Sequence, residues 1–428
     1  MKVLIVSHNV IGLDGSMGKT LCSYFRDWAS ADLCQIYFHS EVPTTHLCEQ
    51  YYRVTDVDLV NALRFRKPGR VLTREDIQED RATTRVDAGT TAKVYQAGRR
   101  RTPLMIFARN ALWGLGAWKT KELDAWMERQ KPDVIFFASG DYVFAYRVVQ
   151  YLAQKYHLPV VVNVVDDFYF YRGPYHSPLA FWNTRVFRST MERMMKTAEG
   201  ALYIHPAMEK AYGKVFGRSG QVLYKTAERF GSLHEESGPL RISYLGALGM
   251  QRDQVLVEMG RLLLRLIPDG SVMIDVYSGE SRPEILKHMT ESNGIRMRGA
   301  VSAEEVLRVE AESSILILPE SRDPATLGQL RYSLSTKVPE YLASGRCVLA
   351  YGPAEAGTLS YLLENQAACV ATSPAELEEK LREILFSPEK RQAYAAGQLA
   401  VARQHHTQER NSAVLREVLE NAVKEDSR

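Results

Sequence analysis

The chain has 428 residues, of which 45% are hydrophobic and 25% are charged. This length predicts two or three domains of about 150 residues each. The composition is that of a folded globular protein, which excludes the disordered, collagen-like and coiled-coil classes. The net charge of +3 is too small to indicate a nucleic acid as the main partner.

The cysteines and the N-terminus point to a reducing compartment. The five cysteines lack the paired spacing of a disulfide framework or a zinc site. The opening sequence, MKVLIVSHN, is typical of a buried strand and lacks the features of a signal peptide. No run approaches the roughly 20 apolar residues that span a bilayer. We therefore expect a cytoplasmic protein with several domains.

The first half of the chain alternates predicted strands with predicted helices. Short runs rich in Val and Ile indicate buried parallel strands, at Val3–Ser7, 134–137, 160–165 and 201–204. Patterns of helical period lie between them, at 19–29 and 142–156.

The second half repeats this alternation. Strands are predicted at 242–245, 274–277, 315–318 and 348–351, and helices at 254–266, 303–311, 336–344 and 375–385. Two such blocks predict two doubly wound α/β domains. The polar stretch 234–239 is the expected linker. The expected division is an N-terminal domain, 1–234, a C-terminal domain, 235–405, and a last helix, 406–428, that packs back toward the first domain.

One stretch of the first domain is strongly basic. Residues 64–121 hold fourteen Lys and Arg against five acidic residues, a local charge of +9, and we interpret about 60–121 as a basic insertion. Within it, three arginines at 99–101 precede an apolar segment with two tryptophans, 103–121. Two interpretations stay open for 99–121: a contact with an anionic membrane surface, or a core helix with exposed flanking arginines.

The loop after the first strand contains the sequence Gly18-Lys19-Thr20 but is not a Walker A motif. That motif needs a glycine five positions before Gly18, where this chain has Leu13. What is left is a glycine-rich turn into a helix, in which His8 and Gly18 either contact a ligand or belong to an ordinary strand–helix connection.

The segment 334–350 carries the sharpest pattern. Ser335 or Thr336 can cap a helix that bears Lys337 and Glu340 three residues apart, on one face. A lysine at a helix N-terminus suits a diphosphate, and a carboxylate one turn later can accept hydrogen bonds from a ribose. The alternative is a surface ion pair on a helix that ends at Gly345.

The same segment, ST-K-x-x-E-Y-L-A-S-G before a buried strand, resembles the donor-nucleotide signature of GT-B glycosyltransferases, especially family 4 and its relatives. Four further segments are similar to parts of that family and stand in its order: 158–166, 200–206, 244–252 and 298–305.

The resemblance implies two Rossmann-like domains that face a cleft, and a hexosyltransferase-type enzyme. It implies a nucleotide-diphosphate sugar as co-substrate, no further cofactor, and a glycan or lipid-linked acceptor. The implied reaction is retaining and metal-independent. Its implied place is cell-surface polysaccharide or glycolipid synthesis. Because Asp166 and Asp167 are adjacent, they do not form the Asp-x-Asp of a metal-dependent site.

Site residues carry over from the resemblance one by one. Glu340 matches the family's ribose-binding glutamate, and Arg252 stands where the family keeps a basic residue for the diphosphate. Three catalytic residues are implied: Asp166, Arg252 and Lys337. The implied donor-binding set is Gly18, Gly246, Arg252, Ser335, Thr336, Lys337 and Glu340. The implied acceptor or sugar contacts are His8, Asp166 and His205, although a helix cap or a purely structural histidine is the simpler interpretation of each.

The sequence also departs from the family. The first glutamate of the family's pair falls near 331–333, where this chain has Arg, Tyr and Ser. Glu320 can replace it only if the intervening loop folds back. Two other functions therefore stay open: a nucleotide-sugar 2-epimerase, which forms product without an acceptor, and a non-catalytic partner that binds a nucleotide sugar or glycan.

Overall fold

The computed structural model describes residues 1–12, 15–77, 102–170, 177–233 and 238–426. The chain divides into two compact units, Met1–Tyr224 with Asn411–Arg428, and Lys225–Arg410. Parts of the first loop, of the basic stretch and of the expected linker lie outside the described residues. The predicted domain boundaries at 234 and 405 stay predictions.

The first unit is built on an eight-stranded sheet in the order β4-β3-β2-β1-β5-β6-β7-β8. Its strands are β1 (Val3–Ser7), β2 (Leu33–Tyr37), β3 (Gln50–Arg53), β4 (Arg70–Leu72), β5 (Val134–Ser139), β6 (Val160–Val164), β7 (Gly200–Tyr203) and β8 (Gln221–Val222). All neighbours are parallel except β3 and β4. Every residue of β1, β2, β5 and β6 is buried, as expected of strands covered on both faces.

The described helices of this unit are α1 (Ser16–Phe25), α2 (Asp56–Ala62), α3 (Pro103–Gly114), α4 (Lys121–Gln130), α5 (Val143–Tyr156), α6 (Pro178–Thr197) and α7 (Pro206–Phe216). The last helix of the chain, Gln408–Asp426, contributes to the same core: Leu415 and Leu419 are fully buried in one cluster with Val3 and Ile5.

The second unit has a six-stranded parallel sheet in the order β11-β10-β9-β12-β13-β14. Its strands are β9 (Ile242–Leu245), β10 (Ile274–Tyr277), β11 (Ile295–Gly299), β12 (Ile315–Pro319), β13 (Cys347–Tyr351) and β14 (Cys369–Ala371). Its helices are α8 (Arg252–Leu266), α9 (Pro283–Leu286), α10 (Ala303–Glu312), α11 (Pro324–Leu330), α12 (Val338–Ala343), α13 (Gly357–Glu364), α14 (Pro374–Phe386) and α15 (Pro388–His405); the final helix is α16.

The predicted fold class, two doubly wound α/β domains with a C-terminal helix returning to the first, is confirmed. The strands that the sequence pattern missed are mainly those without a Val- and Ile-rich run, such as β2, which reads LCQIY, and β3, which reads QYYR. Among the described residues, no helix combines the length and apolar character that crossing a bilayer requires.

Candidate functional site

A glycine turn at the end of β9 holds the Lys337 side chain. Gly246 has a φ of 149°, and a Cβ atom there would lie 2.4 Å from Lys337 Cε and 2.6 Å from Nζ. Only glycine lets the lysine approach the backbone this closely. The Tyr244 hydroxyl donates to the Ala247 carbonyl at 2.6 Å and closes the turn. The Tyr341 hydroxyl of α12 accepts from the Leu245 amide at 3.1 Å, which ties α12 to this strand end.

Lys337 shares its surroundings with Arg252 and Glu320. Arg252 Nη2 donates to Glu320 Oε2 at 3.1 Å, and their side chains are only 16% and 3% exposed. Burial, with the nearby charge of Arg252, lowers the pKa of Lys337 to about 8, although Glu320 opposes the shift. Burial also opposes the charge on Arg252, but Glu320 raises the pKa of that guanidinium above its ordinary value. Two cations thus face one carboxylate, and the excess positive charge suits an anion.

The position of this cluster follows from the sheet. Gly246 comes directly after β9 and Glu320 directly after β12, and these strands are neighbours. Arg252 is the first residue of α8, preceded by two residues in the left-handed conformation, Met250 and Gln251. The carboxyl ends of parallel strands are where open α/β sheets bind ligands, and the start of α8 adds a favourable dipole for an anion. We call Gly246, Arg252, Glu320 and Lys337 the cation cluster.

The segment 334–345 differs in detail from the prediction. The expected cap by Ser335 or Thr336 is wrong: α12 begins at Val338, and its N-cap is Lys337, which makes no side-chain cap hydrogen bond. The Ser335 amide instead donates to Thr358 Oγ1 at 3.0 Å, and the exposed Thr336 offers its carbonyl to Lys225 Nζ at 3.1 Å. These contacts hold the preceding turn in place of a cap. The predicted stop at Gly345 agrees with its φ of 73°.

Glu340 already has two donors in this structure. Its carboxylate accepts from Lys225 Nζ at 3.2 Å and from the Glu228 amide at 3.1 Å. Burial raises the pKa of Glu310 to about 8, and repulsion from the negative charge of Glu340 adds to the shift. The predicted ribose contact of Glu340 stays a prediction.

A second cluster lies in the first unit, where the strand order reverses between β1 and β5. His8, just after β1, stacks on Tyr142, just after β5, with ring centroids 4.1 Å apart. The Arg109 guanidinium lies 4.5 Å from the centre of the Tyr142 ring, and its Nε donates to Asp56 at 2.9 Å. A reversal of strand order opens a crevice in which α/β sheets bind ligands. The cluster therefore supports a ligand-contact interpretation of His8.

A carboxylate completes this second cluster. Glu41 lies 3.1 Å from His39 Nδ1, and Asn9 Nδ2 donates to both of its oxygens at 3.3 Å. Burial opposes ionisation, but the hydrogen bond from His39, followed by its charge and by Asn9, lowers the pKa of Glu41 below its ordinary value. We call His8, His39, Glu41, Arg109 and Tyr142 the switch-point cluster. The sequence indicated only His8, because β2, which positions His39, was not predicted.

Three other predicted site residues have different outcomes. His205 is fully buried, and its Nδ1 accepts from the Ala207 amide at 2.9 Å as the N-cap of α7, so its predicted sugar contact is corrected to a structural role. Gly18 lies in α1, where a Cβ atom would sit 2.8 Å from the Gly12 carbonyl. This close approach accounts for the glycine by packing. Asp166 is exposed, after β6 on the same sheet edge, and its catalytic role stays a prediction.

Asp167, beside it, is a structural residue. It is almost fully buried and accepts from the Tyr212 hydroxyl at 2.8 Å and from the Phe170 amide at 2.9 Å.

Comparison with known proteins gives one family and many structures. Residues 271–416 match the family described as "Glycosyl transferase-like". Comparison with curated protein sequences gives no match. A structure of Anabaena Alr3699/HepE in complex with UDP and glucose is 14% identical, with a TM-score of 0.61 over 98% of this chain and 99% of that one.

Two other similar structures are of synthases with different named activities. An α,α-trehalose-phosphate synthase (UDP-forming) from Burkholderia vietnamiensis is 13% identical, with a TM-score of 0.58 over 99% of this chain and all of that one. A sucrose-phosphate synthase from Thermosynechococcus elongatus is 10% identical, with a TM-score of 0.59 over 97% of each chain. At these identities the likeness establishes the fold. The chain has the GT-B fold, and its residues 271–416 match the glycosyl transferase-like family.

Proposed function

We propose that this protein is a glycosyltransferase that moves a sugar from a nucleotide-diphosphate sugar to an acceptor hydroxyl. The observation that carries the proposal is the cation cluster, in which Arg252 and Lys337 outnumber Glu320 in a largely buried place. A diphosphate supplies the negative charge that this cluster lacks. The glycosyl transferase-like match, which spans Glu320, Lys337 and Glu340, supports the same assignment.

The cluster suits the chemical step as well as binding. When the bond between the sugar and the diphosphate breaks, negative charge grows on the leaving phosphate. Fixed cations in a site of low dielectric constant stabilise that charge more than they stabilise the ground state. Arg252 can make a two-pronged contact with phosphate oxygens, while Lys337 acts as a point charge. In this proposal the two cations replace a metal, so chelation with EDTA leaves the rate unchanged.

A uridine nucleotide is the proposed donor carrier. The structures of similar fold were obtained with UDP and with UDP-glucose, and one carries the description UDP-forming. We propose a hexose as the transferred sugar and retention of its anomeric configuration. An NMR spectrum of the first product formed reports the configuration directly.

Nucleotide binding can be tested by thermal stability. Of UDP, GDP, CDP and dTDP, UDP is expected to raise the melting temperature of the wild type most. A ligand at about 100 times its dissociation constant adds about 2.7 kcal/mol, which corresponds to a shift of several degrees. Glu340→Ala is expected to lose most of the shift if Glu340 binds the ribose. The control is Glu364→Ala, which changes an exposed glutamate in the same unit. No shift with any nucleotide in the wild type contradicts the donor assignment.

The alternative functions differ in product. An epimerase releases product from the donor with no acceptor present, whereas a binding partner retains donor without releasing nucleotide. Incubation of donor with and without candidate acceptors, followed by chromatography of sugar and nucleotide, separates both from a transferase.

The acceptor is proposed to bind at the switch-point cluster. Aromatic faces pack against the C–H groups of sugar rings, and the His39 and Glu41 side chains can bind hydroxyl groups. An acceptor of neutral, hydroxyl-bearing character is favoured, because the charge of Glu41 repels an anionic group. We propose a glycan or lipid-linked acceptor in cell-surface polysaccharide or glycolipid synthesis, used from the cytoplasmic side.

Tyr142→Leu tests the acceptor site. Loss of the aromatic face is expected to raise KM for the acceptor about tenfold, with nucleotide affinity unchanged. The substitution is not expected to weaken α5, because the Tyr142 side chain makes no cap hydrogen bond with that helix. Tyr151→Leu is the matched control: Tyr151 lies on the same helix but packs against Trp118 at 5.1 Å. Equal effects of the two substitutions on KM would show that the acceptor does not bind at this cluster.

A further inference from the structure

Two helices of the first unit carry an exposed apolar surface. The Asn183 side chain of α6 donates to the Pro103 carbonyl of α3 at 2.7 Å, so the first turns of the two helices are adjacent. Large apolar side chains near this contact are exposed: Leu104, Met105, Ile106, Phe107, Phe181 and Trp182. We call these six residues the α3–α6 surface.

The C-terminal half of α3 holds this surface in place. Trp113 is buried, stacks on Phe144 at 4.1 Å and donates from its indole nitrogen to Asp56 at 2.7 Å. The C-terminal half of α3 is therefore an anchor in the unit. The end of the helix packs inward, as expected of a core helix, and its beginning presents apolar groups outward. Trp182 and Phe181, each 57% exposed, extend that surface from a second helix.

In the sequence, the two segments that contain this surface carry charge of one sign. The segments 99–121 and 168–191, which contain all six residues, hold nine basic residues and no acidic one. The basic residues are Arg99, Arg100, Arg101, Arg109, Lys119, Lys121, Arg172, Arg185 and Arg188. Arg109 is paired with Asp56, so the other eight are the charges that can meet a lipid surface. Arg185 is exposed within one turn of Trp182. Negatively charged lipid headgroups attract basic segments. Trp and Phe side chains prefer to lie at the level of the headgroups.

We propose that the α3–α6 surface docks on an anionic lipid bilayer, with Phe181 and Trp182 at headgroup level. The contact is interfacial, because neither α3 nor α6 is both long and apolar enough to span a bilayer. The proposal rests on these residues alone and is independent of glycosyl transfer. It also gives a lipid-linked acceptor a route to the enzyme at the membrane surface.

Tryptophan fluorescence provides a direct test with the full chain. Four of the five tryptophans, Trp28, Trp113, Trp118 and Trp126, are buried, so a change on adding vesicles reports Trp182. Vesicles of phosphatidylcholine with phosphatidylglycerol are expected to shift the emission to the blue and to carry the protein upward in flotation. Vesicles of phosphatidylcholine alone are expected to bind several-fold less, and added salt is expected to release the protein.

Substitution identifies the surface. Phe181→Ser with Trp182→Ser is expected to lower vesicle binding about tenfold, because two apolar contacts are lost. Phe386→Ser is the control, since Phe386 is 64% exposed in the other unit. Transfer to a soluble acceptor is expected to be unchanged in both, so a failure of catalysis and a failure of docking are separate results. The proposal is overturned if anionic vesicles leave the fluorescence unchanged. It is equally overturned if the wild type forms a dimer that the double substitution dissociates, because the surface then binds a second copy.

Discussion

Lys337→Met is expected to lower the rate of sugar transfer about 100- to 1,000-fold, because one of two fixed cations on the leaving diphosphate is removed. Methionine keeps the apolar part of the side chain that packs against Gly246. The protein is not expected to lose stability, since burial of an ammonium group is unfavourable. Initial rates at saturating donor, with melting temperatures measured in parallel, separate catalysis from folding. The control Lys287→Met changes an exposed lysine of the same unit.

The pH dependence of nucleotide binding gives an independent check of Lys337. The pKa of Lys337 is about 8 in the free protein, and a bound diphosphate raises it because opposite charges attract. The protonated lysine is the binding form, so affinity is full well below pH 8 and declines as the pH rises through the pKa of about 8. Isothermal titration with UDP between pH 7 and 10 is expected to show this decline in the wild type and a flat profile in Lys337→Met. Parallel profiles in the two proteins would show that Lys337 does not contact the diphosphate.

Glu320→Gln is expected to destabilise the second unit by about 3 kcal/mol when no ligand is present, because Arg252 loses the charge that compensates its burial. UDP is expected to restore the stability, since its phosphates supply negative charge at the same place. Affinity for UDP is not expected to fall, because a competing carboxylate has been removed. Denaturation with and without UDP measures both effects.

The matched control is Glu312→Gln. Glu312 pairs with Arg241 at 2.7 Å, but both side chains are about half exposed, and such pairs contribute at most about 1 kcal/mol. A Glu320 variant that stays destabilised at saturating UDP would mean that Arg252 does not meet the phosphates.

The sequence predicted eight of the fourteen described strands. β1, β9 and β10 were predicted with their observed ends. Of these, β1 shows the clearest signal, because a strand buried at every position is apolar along most of its length. The helix predicted at 303–311 is observed at Ala303–Glu312, where Ser302 and Glu305 form a capping box at its start. Strands without a Val- and Ile-rich run, such as β2, were not predicted. The position of His39, which follows β2, was therefore not predicted either.

The candidate site could be predicted only in part. Lys337, Arg252 and Gly246 were indicated by local pattern and resemblance, and the structure brings them together. His205 was expected to contact ligand, yet it caps α7 from a fully buried position. A histidine after a strand has the same local sequence in either role, because burial depends on what packs over it.

Sequence by itself determined the order and type of about half of the described strands and helices, since hydrophobic period, turn residues and caps act within a few neighbouring positions. Only the tertiary structure decided which side chains meet. Glu320 joins Arg252 across 68 positions, and Lys225 joins Glu340 across 115. These pairs depend on strand order and on where each helix packs. No local pattern encodes strand order or helix packing, because the free energy that selects them comes from burial of the whole sheet.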